Sequence, residues 1–256
     1  MPRQPRDLKP GYCYHITTRC NNREFLLYRQ ECREVFLYAI KQAQEKFDFK
    51  LYGLCIMSNH VHYLLEPKAP NDLPKIMHWL NWYTAMCFNQ MLGRTGHFWE
   101  KRYFSAGFPS SDHARVLNTL RYIHANPKTA KMQHGFFYDF SNYGSHERMT
   151  NDGITQWHSA FLSLGESLED CAEAYKQFCN RYKPKEKPAK KSSWGGRLLA
   201  KMEAAVKTKR KKAKTSPGQT KLSLPWEQYQ VLNCPEIQSI ARTFISANSY
   251  PISGSP

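Results

Sequence analysis

The segment 51–67, LYGLCIMSNHVHYLLEP, sets two histidines one residue apart behind a Ser58-Asn59 turn. Residues two apart on a β-strand leave the same face, so His60 and His62 would present two neutral imidazoles side by side on a rigid element. That is a donor pair suited to a divalent metal. It is also the pattern of two strand histidines that bind nothing, and the rest of the chain decides between these. Val61, Tyr63 and Leu65 would point to the opposite face.

A second residue with chemistry to offer is Tyr122. The stretch Asp112–Asn126, DHARVLNTLRYIHAN, has a helical repeat, with Asp112 as its N-cap and Pro127 expected to stop it. Val116, Leu117, Leu120, Ile123 and His124 form one apolar stripe at helical spacing. Tyr122 falls almost opposite, beside Arg115, Asn118 and Asn126, with Asn126 one turn further on. A phenol turned away from its helix's own packing stripe is either a surface tyrosine or a group held out for use. His124 lies on the stripe and reads as packing.

The elements that must position these groups follow from periodicity. Tyr12–Cys20 reads as a strand, and His15 within it reads as a structural strand residue. Gln30–Phe47 carries Val35, Phe36, Ala39, Ile40 and Ala43 at helical spacing. Phe49–Met57 and His60–Glu66 form a hairpin. Pro74 opens a second helix that Gly93 stops after Met91, and His97–Phe108 reads as a fourth strand. The order β-α-β-β-α-β predicts an α+β, ferredoxin-like split β-α-β fold: a four-stranded antiparallel sheet with helices on one face, plus the later tyrosine helix. The open sheet face of such a fold is a platform for nucleic acid.

The charge balance names the kind of partner. Among 256 residues, 37 Lys and Arg against 21 Asp and Glu leave a formal +16, which points to a polyanion. No amphipathic anchor or long apolar run accompanies the charge, so nucleic acid is preferred to a membrane. Eight cysteines without a C-x-x-C spacing read as buried reduced thiols. With no signal peptide in the N-terminal segment, a cytoplasmic, nucleoid-associated location is expected. A catalytic domain is expected over 1–147 and a helical extension over 148–182, with a helix at Leu168–Tyr182. A basic linker over 183–220 and a C-terminal segment over 221–256, of no legible role, complete the division. Residues 183–214 hold thirteen Lys or Arg against two Glu and read as an arm adding salt-dependent affinity for a phosphate backbone. Within it, SSWGGRLLAKMEAAV has a helical pattern.

Four segments together, GYCYHITTRCNNR, IMSNHVHYLLEP, GRTGHFWEKRYFSAGF and RYIHANP, resemble the single-tyrosine HUH transposases, especially the REP-associated tyrosine transposases. The likeness covers about residues 10–147 in consistent order. It implies an enzyme that cuts and rejoins single-stranded, hairpin-containing DNA through a 5′-phosphotyrosine link, using Mg²⁺ or Mn²⁺. By the motifs, His60 and His62 are implied as metal ligands, Asn126 as the third ligand and Tyr122 as the nucleophile. Arg19, Arg23, Lys101, Arg102, Lys128 and Lys131 are candidates for DNA backbone contacts from charge and placement. The segment Lys128-Thr129-Ala130-Lys131 departs from the V-R-A-G of many relatives. Relatives include monomers and dimers, so a homodimer is among the expected states.

Two other readings compete. One is a non-catalytic nucleic-acid-binding protein on the same sheet, which the complete histidine–tyrosine–asparagine set argues against. The other is a zinc hydrolase or deaminase built on His60 and His62, for which no catalytic acid stands at a recognised spacing.

Overall fold

Alternating strand patterns and two long amphipathic repeats assemble as the sequence predicts. The computed structural model describes residues 6–184 and 234–249. The strands are β1 (Tyr12–Arg19), β2 (Phe49–Ile56), β3 (His60–Pro67) and β4 (Phe104–Pro109). They form an antiparallel sheet in the order β2-β3-β1-β4, which gives the split β-α-β topology. Helices α1 (Gln30–Lys46) and α2 (Asp72–Met91) join the strands. The α1 residues Val35, Phe36, Ala39, Ile40 and Ala43 are all buried. Phe36 packs against Tyr63 of β3 at 6.2 Å between ring centroids, which fixes the odd-numbered side of β3 as the α1 side. Gly93, at φ +58, follows the end of α2 in the left-handed conformation that glycine adopts without a Cβ penalty.

The other face of the sheet carries α3 (His113–Thr129). Gly53 of β2 makes this close packing feasible. A Cβ there would lie 3.0 Å from Leu120 Cδ2 and 3.3 Å from Ile123 Cδ1, both on α3. His124 ties the same helix down: its Nδ1 lies 2.7 Å from Tyr175 Oη and its Nε2 2.8 Å from Asn142 Oδ1. Asn142 in turn bonds Leu54 N and Tyr52 O of β2, both at 2.8 Å. The expected packing role of His124 is therefore what the fold uses.

Short helices α4 (Tyr143–Arg148), α5 (Ser159–Leu162) and α6 (Leu168–Asn180) follow. The C-terminal helix α7 (Pro235–Asn248) packs on α1 and α4, with Asn248 Oδ1 accepting from Ser145 N at 2.7 Å. Among the described residues, those up to Tyr182 and those of α7 belong to one compact unit. Most of the expected basic linker, its SSWGGRLLAKMEAAV helix and the rest of the C-terminal segment lie outside the described residues. All eight cysteines are free, and seven are buried. Among the described residues, no helix is long and apolar enough to cross a membrane.

Two boundaries differ from expectation. The fourth strand begins at Phe104 and not at His97; residues 97–103 are irregular, touching the sheet through a Cys20–Trp99 bridge. Trp99 is held there because its indole N–H donates to Asn81 O and Thr84 Oγ1 of α2. Pro127 lies inside α3 and does not end it. The proline removes an N–H from the ladder, and the Asn126 side-chain amide stands in, donating to Tyr122 O at 2.8 Å and Ile123 O at 3.3 Å.

Candidate active site

Register brings the site together. Thr17 pairs with His62, Arg19 with His60, and Thr17 on its other side with Phe104. Side chains at paired positions leave the same sheet face, so β1, β3 and β4 each contribute to one wall. His60 and His62 do lie together, their ring centroids 4.8 Å apart. Tyr122 of α3 stands over them, 5.7 Å from His62 and 5.5 Å from His15 between ring centroids, within the same chain. A cavity of about 420 Å³ is lined by His15, Thr17, Arg19, His62, Glu100, Lys101, Arg102, Phe104 and Tyr122.

Hydrogen bonds around the imidazoles determine which nitrogen each presents. Asn59 donates its amide N–H to Arg23 O at 3.1 Å, turning its oxygen to His60 Nδ1 at 2.6 Å. A carboxamide oxygen only accepts, so His60 Nδ1 carries the proton and Nε2 keeps a lone pair. His62 Nδ1 lies 3.1 Å from both Thr17 Oγ1 and His15 Nε2. His62 Nε2 is buried with no hydrogen-bond partner. An orphaned buried nitrogen is costly unless something binds it. Burial holds His15 and His60 down at about 4, with Arg19 adding to the effect at His60. His62 is lowered well below 6.5 by burial first, then by His60, His15 and Arg19. All three rings are neutral near pH 7, the form that ligates metal. Neighbouring neutral imidazoles, each with an Nε2 lone pair, are donors that suit a divalent ion, although only His62 of the two lines the cavity.

Burial raises the Tyr122 pKa, with Tyr182 adding to the rise and Arg19 opposing it. The ring is nonetheless 43% exposed, open to a substrate. Asn126 lies one turn beyond, its amide nitrogen committed to its own helix and its side chain off the cavity wall. Of the six cations singled out in the sequence, Arg19, Lys101 and Arg102 line the cavity; Arg23, Lys128 and Lys131 do not. Lys128 instead sits 5.1 Å above the Phe136 ring. His15, read from the sequence as a structural strand residue, lines the site, and Thr17, Glu100 and Phe104 line it without having been singled out. The signal available was the even spacing of His15 and Thr17 on a strand next to the H-x-H strand.

A second group with ligand atoms within 4.8 Å of one another is Cys13, Glu66 and His158. His158 Nδ1 accepts from Ala160 N at 2.9 Å, so its Nε2 carries the proton toward Ser110 Oγ at 2.8 Å. Ser110 Oγ and Tyr52 Oη donate to Glu66 at 3.1 and 2.6 Å. The Cys13 thiol is pushed up to about 12 by burial. Its imidazole lone pair is already used and its thiol stays protonated, so this cluster is a satisfied hydrogen-bond network and a poor metal cage.

The split β-α-β sheet with the Tyr122 helix laid over its histidine face is the fold that the resemblance in the sequence implied. Residues 9–126 match the family model described as "Transposase IS200 like". A solved REP-associated tyrosine transposase bound to a REP hairpin is similar at 17% identity and a TM-score of 0.49, covering 61% of this chain and 89% of that one. No curated protein matches the chain.

Proposed function

We propose that this protein is a metal-dependent tyrosine transposase that cleaves and rejoins single-stranded, hairpin-containing DNA. What carries the reading is the unpartnered buried Nε2 of His62 in the same cavity that Tyr122 lines. His60 and His62 would hold the ion through Nε2, and Asn126 would be the third ligand through its amide oxygen. Mg²⁺ or Mn²⁺ at these atoms would supply Lewis-acid stabilisation of the charge that builds on phosphorus.

Tyr122 is the nucleophile. Its oxygen forms a bond to the scissile phosphorus as the bond to the 3′-oxygen breaks, the phenolic proton is lost, and the leaving oxygen becomes a 3′-hydroxyl. The product is a 5′-phosphotyrosine, which conserves the phosphodiester for rejoining to another 3′-hydroxyl. Burial makes the phenol a weak nucleophile by itself, so attack depends on positive charge arriving with the phosphate. Arg19, Lys101 and Arg102 at the cavity wall bind the DNA backbone, and Arg23, Lys128 and Lys131 extend the track. Residues 1–147 are assigned the catalysis and 183–220 the non-specific basic contacts, in a cytoplasmic, nucleoid-associated protein.

The test is a denaturing gel of labelled single-stranded hairpin DNA with Mn²⁺. Wild type forms a covalent protein–DNA adduct that EDTA prevents, and Tyr122→Phe forms none. An adduct that persists in Tyr122→Phe would reassign the nucleophile. Binding without cleavage, unaffected by EDTA, would favour the non-catalytic alternative.

A further inference from the structure

Phe104 stands where the catalytic cavity meets the outer edge of the sheet. It opens β4, the edge strand, paired with Thr17. On one side it lines the cavity of His62 and Tyr122; on the other it lines a cavity of about 480 Å³ with Arg6, Lys101, Arg102 and Tyr103. Its ring is 61% exposed, whereas Phe108, on the same face four residues on, is buried. A phenyl group left in water forgoes the stabilisation that burial brings, and none of the surrounding chain needs one there for packing. The neighbouring charges are positive: Lys101 and Arg102 are exposed, and the Arg6 guanidinium is fixed 3.7 Å above the Tyr103 ring, bonded to Ser105 Oγ and Tyr103 O.

An open aromatic face beside a track of cations combines the two elements of single-strand recognition: charge for the backbone and a flat ring for a base. We propose that Phe104 is a stacking platform for the nucleobase flanking the phosphate held at Tyr122, and that the strand continues over the β4 edge toward Arg6 and Tyr103. This deepens the proposed function and rests on it for the identity of the ligand. Stacking of this kind tolerates any base, so Phe104 contributes affinity and strand path without sequence choice.

The experiment is fluorescence anisotropy in EDTA with two probes of equal length, label and charge: a twenty-nucleotide oligothymidine and the corresponding abasic deoxyribose-phosphate chain. Wild type should prefer the probe with bases. Phe104→Ala should lose about tenfold on oligothymidine and nothing on the abasic chain, Phe104→Trp should restore the preference, and the salt dependence should be unchanged. The proposal is overturned if Phe104→Ala binds oligothymidine like wild type, loses equally on both probes, or is not rescued by Trp. Binding in EDTA requires neither metal nor attack by Tyr122. A Tyr122→Phe protein that fails to abolish the adduct would therefore sink the catalytic assignment while leaving the Phe104 result readable.

Discussion

His15 Nε2 lies 3.1 Å from His62 Nδ1, the two rings stacked at 16° and 5.3 Å between centroids. The contact reaches from β1 to β3 and, with Thr17 Oγ1, brackets the nitrogen of His62 opposite the orphaned one. A ligating imidazole whose second nitrogen is held in this way has its ring orientation set before the ion arrives. His15→Ala should weaken Mn²⁺ binding by about tenfold to a hundredfold, measured by electron paramagnetic resonance titration, with the fold intact by circular dichroism. Unchanged Mn²⁺ affinity would show that His15 does not orient His62.

Gly53 decides how near α3 comes to the sheet, and hence where Tyr122 stands. A valine there would meet Leu120, Leu64 and Ile123. Gly53→Val should destabilise the domain by about 1–3 kcal/mol through overpacking, seen as a lower urea midpoint. Under conditions where the variant is still folded, adduct formation should fall more than DNA binding does. Equal losses, or none, would separate the helix position from the chemistry.

Two completely buried histidines give stability a pH dependence of known sign. His124 is held well below its ordinary 6.5 by burial first and by His146, opposed by its bond to Asn142; His146 is lowered by burial, opposed by its bond to Asn142 O. As pH falls below 6.5 the unfolded chain takes up protons that these native rings refuse, so stability falls with falling pH. Each ring should lower stability between pH 7.5 and pH 5, His124 by more than His146. Urea unfolding in EDTA at the two pH values checks this, and equal or greater stability at pH 5 would contradict it.

The parts of the site that local periodicity governs were legible before the fold. The two-residue repeat put His60 and His62 on one side of a strand, and the helical repeat turned Tyr122 away from Leu120 and Ile123. What pairing governs was not legible. His15 reads as an ordinary strand residue until the β1–β3 register brings it next to His62, and register is set by long-range contacts. Residues 97–103 have the aromatic content of a strand, yet Trp99 is drawn aside by its indole bonds to α2. Pro127 reads as a helix stop because the rule assumes an unreplaced N–H; the Asn126 side chain supplies a donor in its place. That same bond turns the amide nitrogen inward, a detail that residue spacing does not encode.

The central claim is that the phenol of Tyr122 becomes bonded to DNA with the help of the histidine pair. Wild-type protein incubated with single-stranded hairpin DNA and Mn²⁺, then digested with protease and nuclease, should yield one peptide carrying a 5′-nucleotide, and fragmentation should put the added mass on Tyr122. The adduct should be lost in His60→Ala and His62→Ala variants that remain folded. A nucleotide mapped to any other residue, or an adduct undiminished without both histidines, would contradict the account.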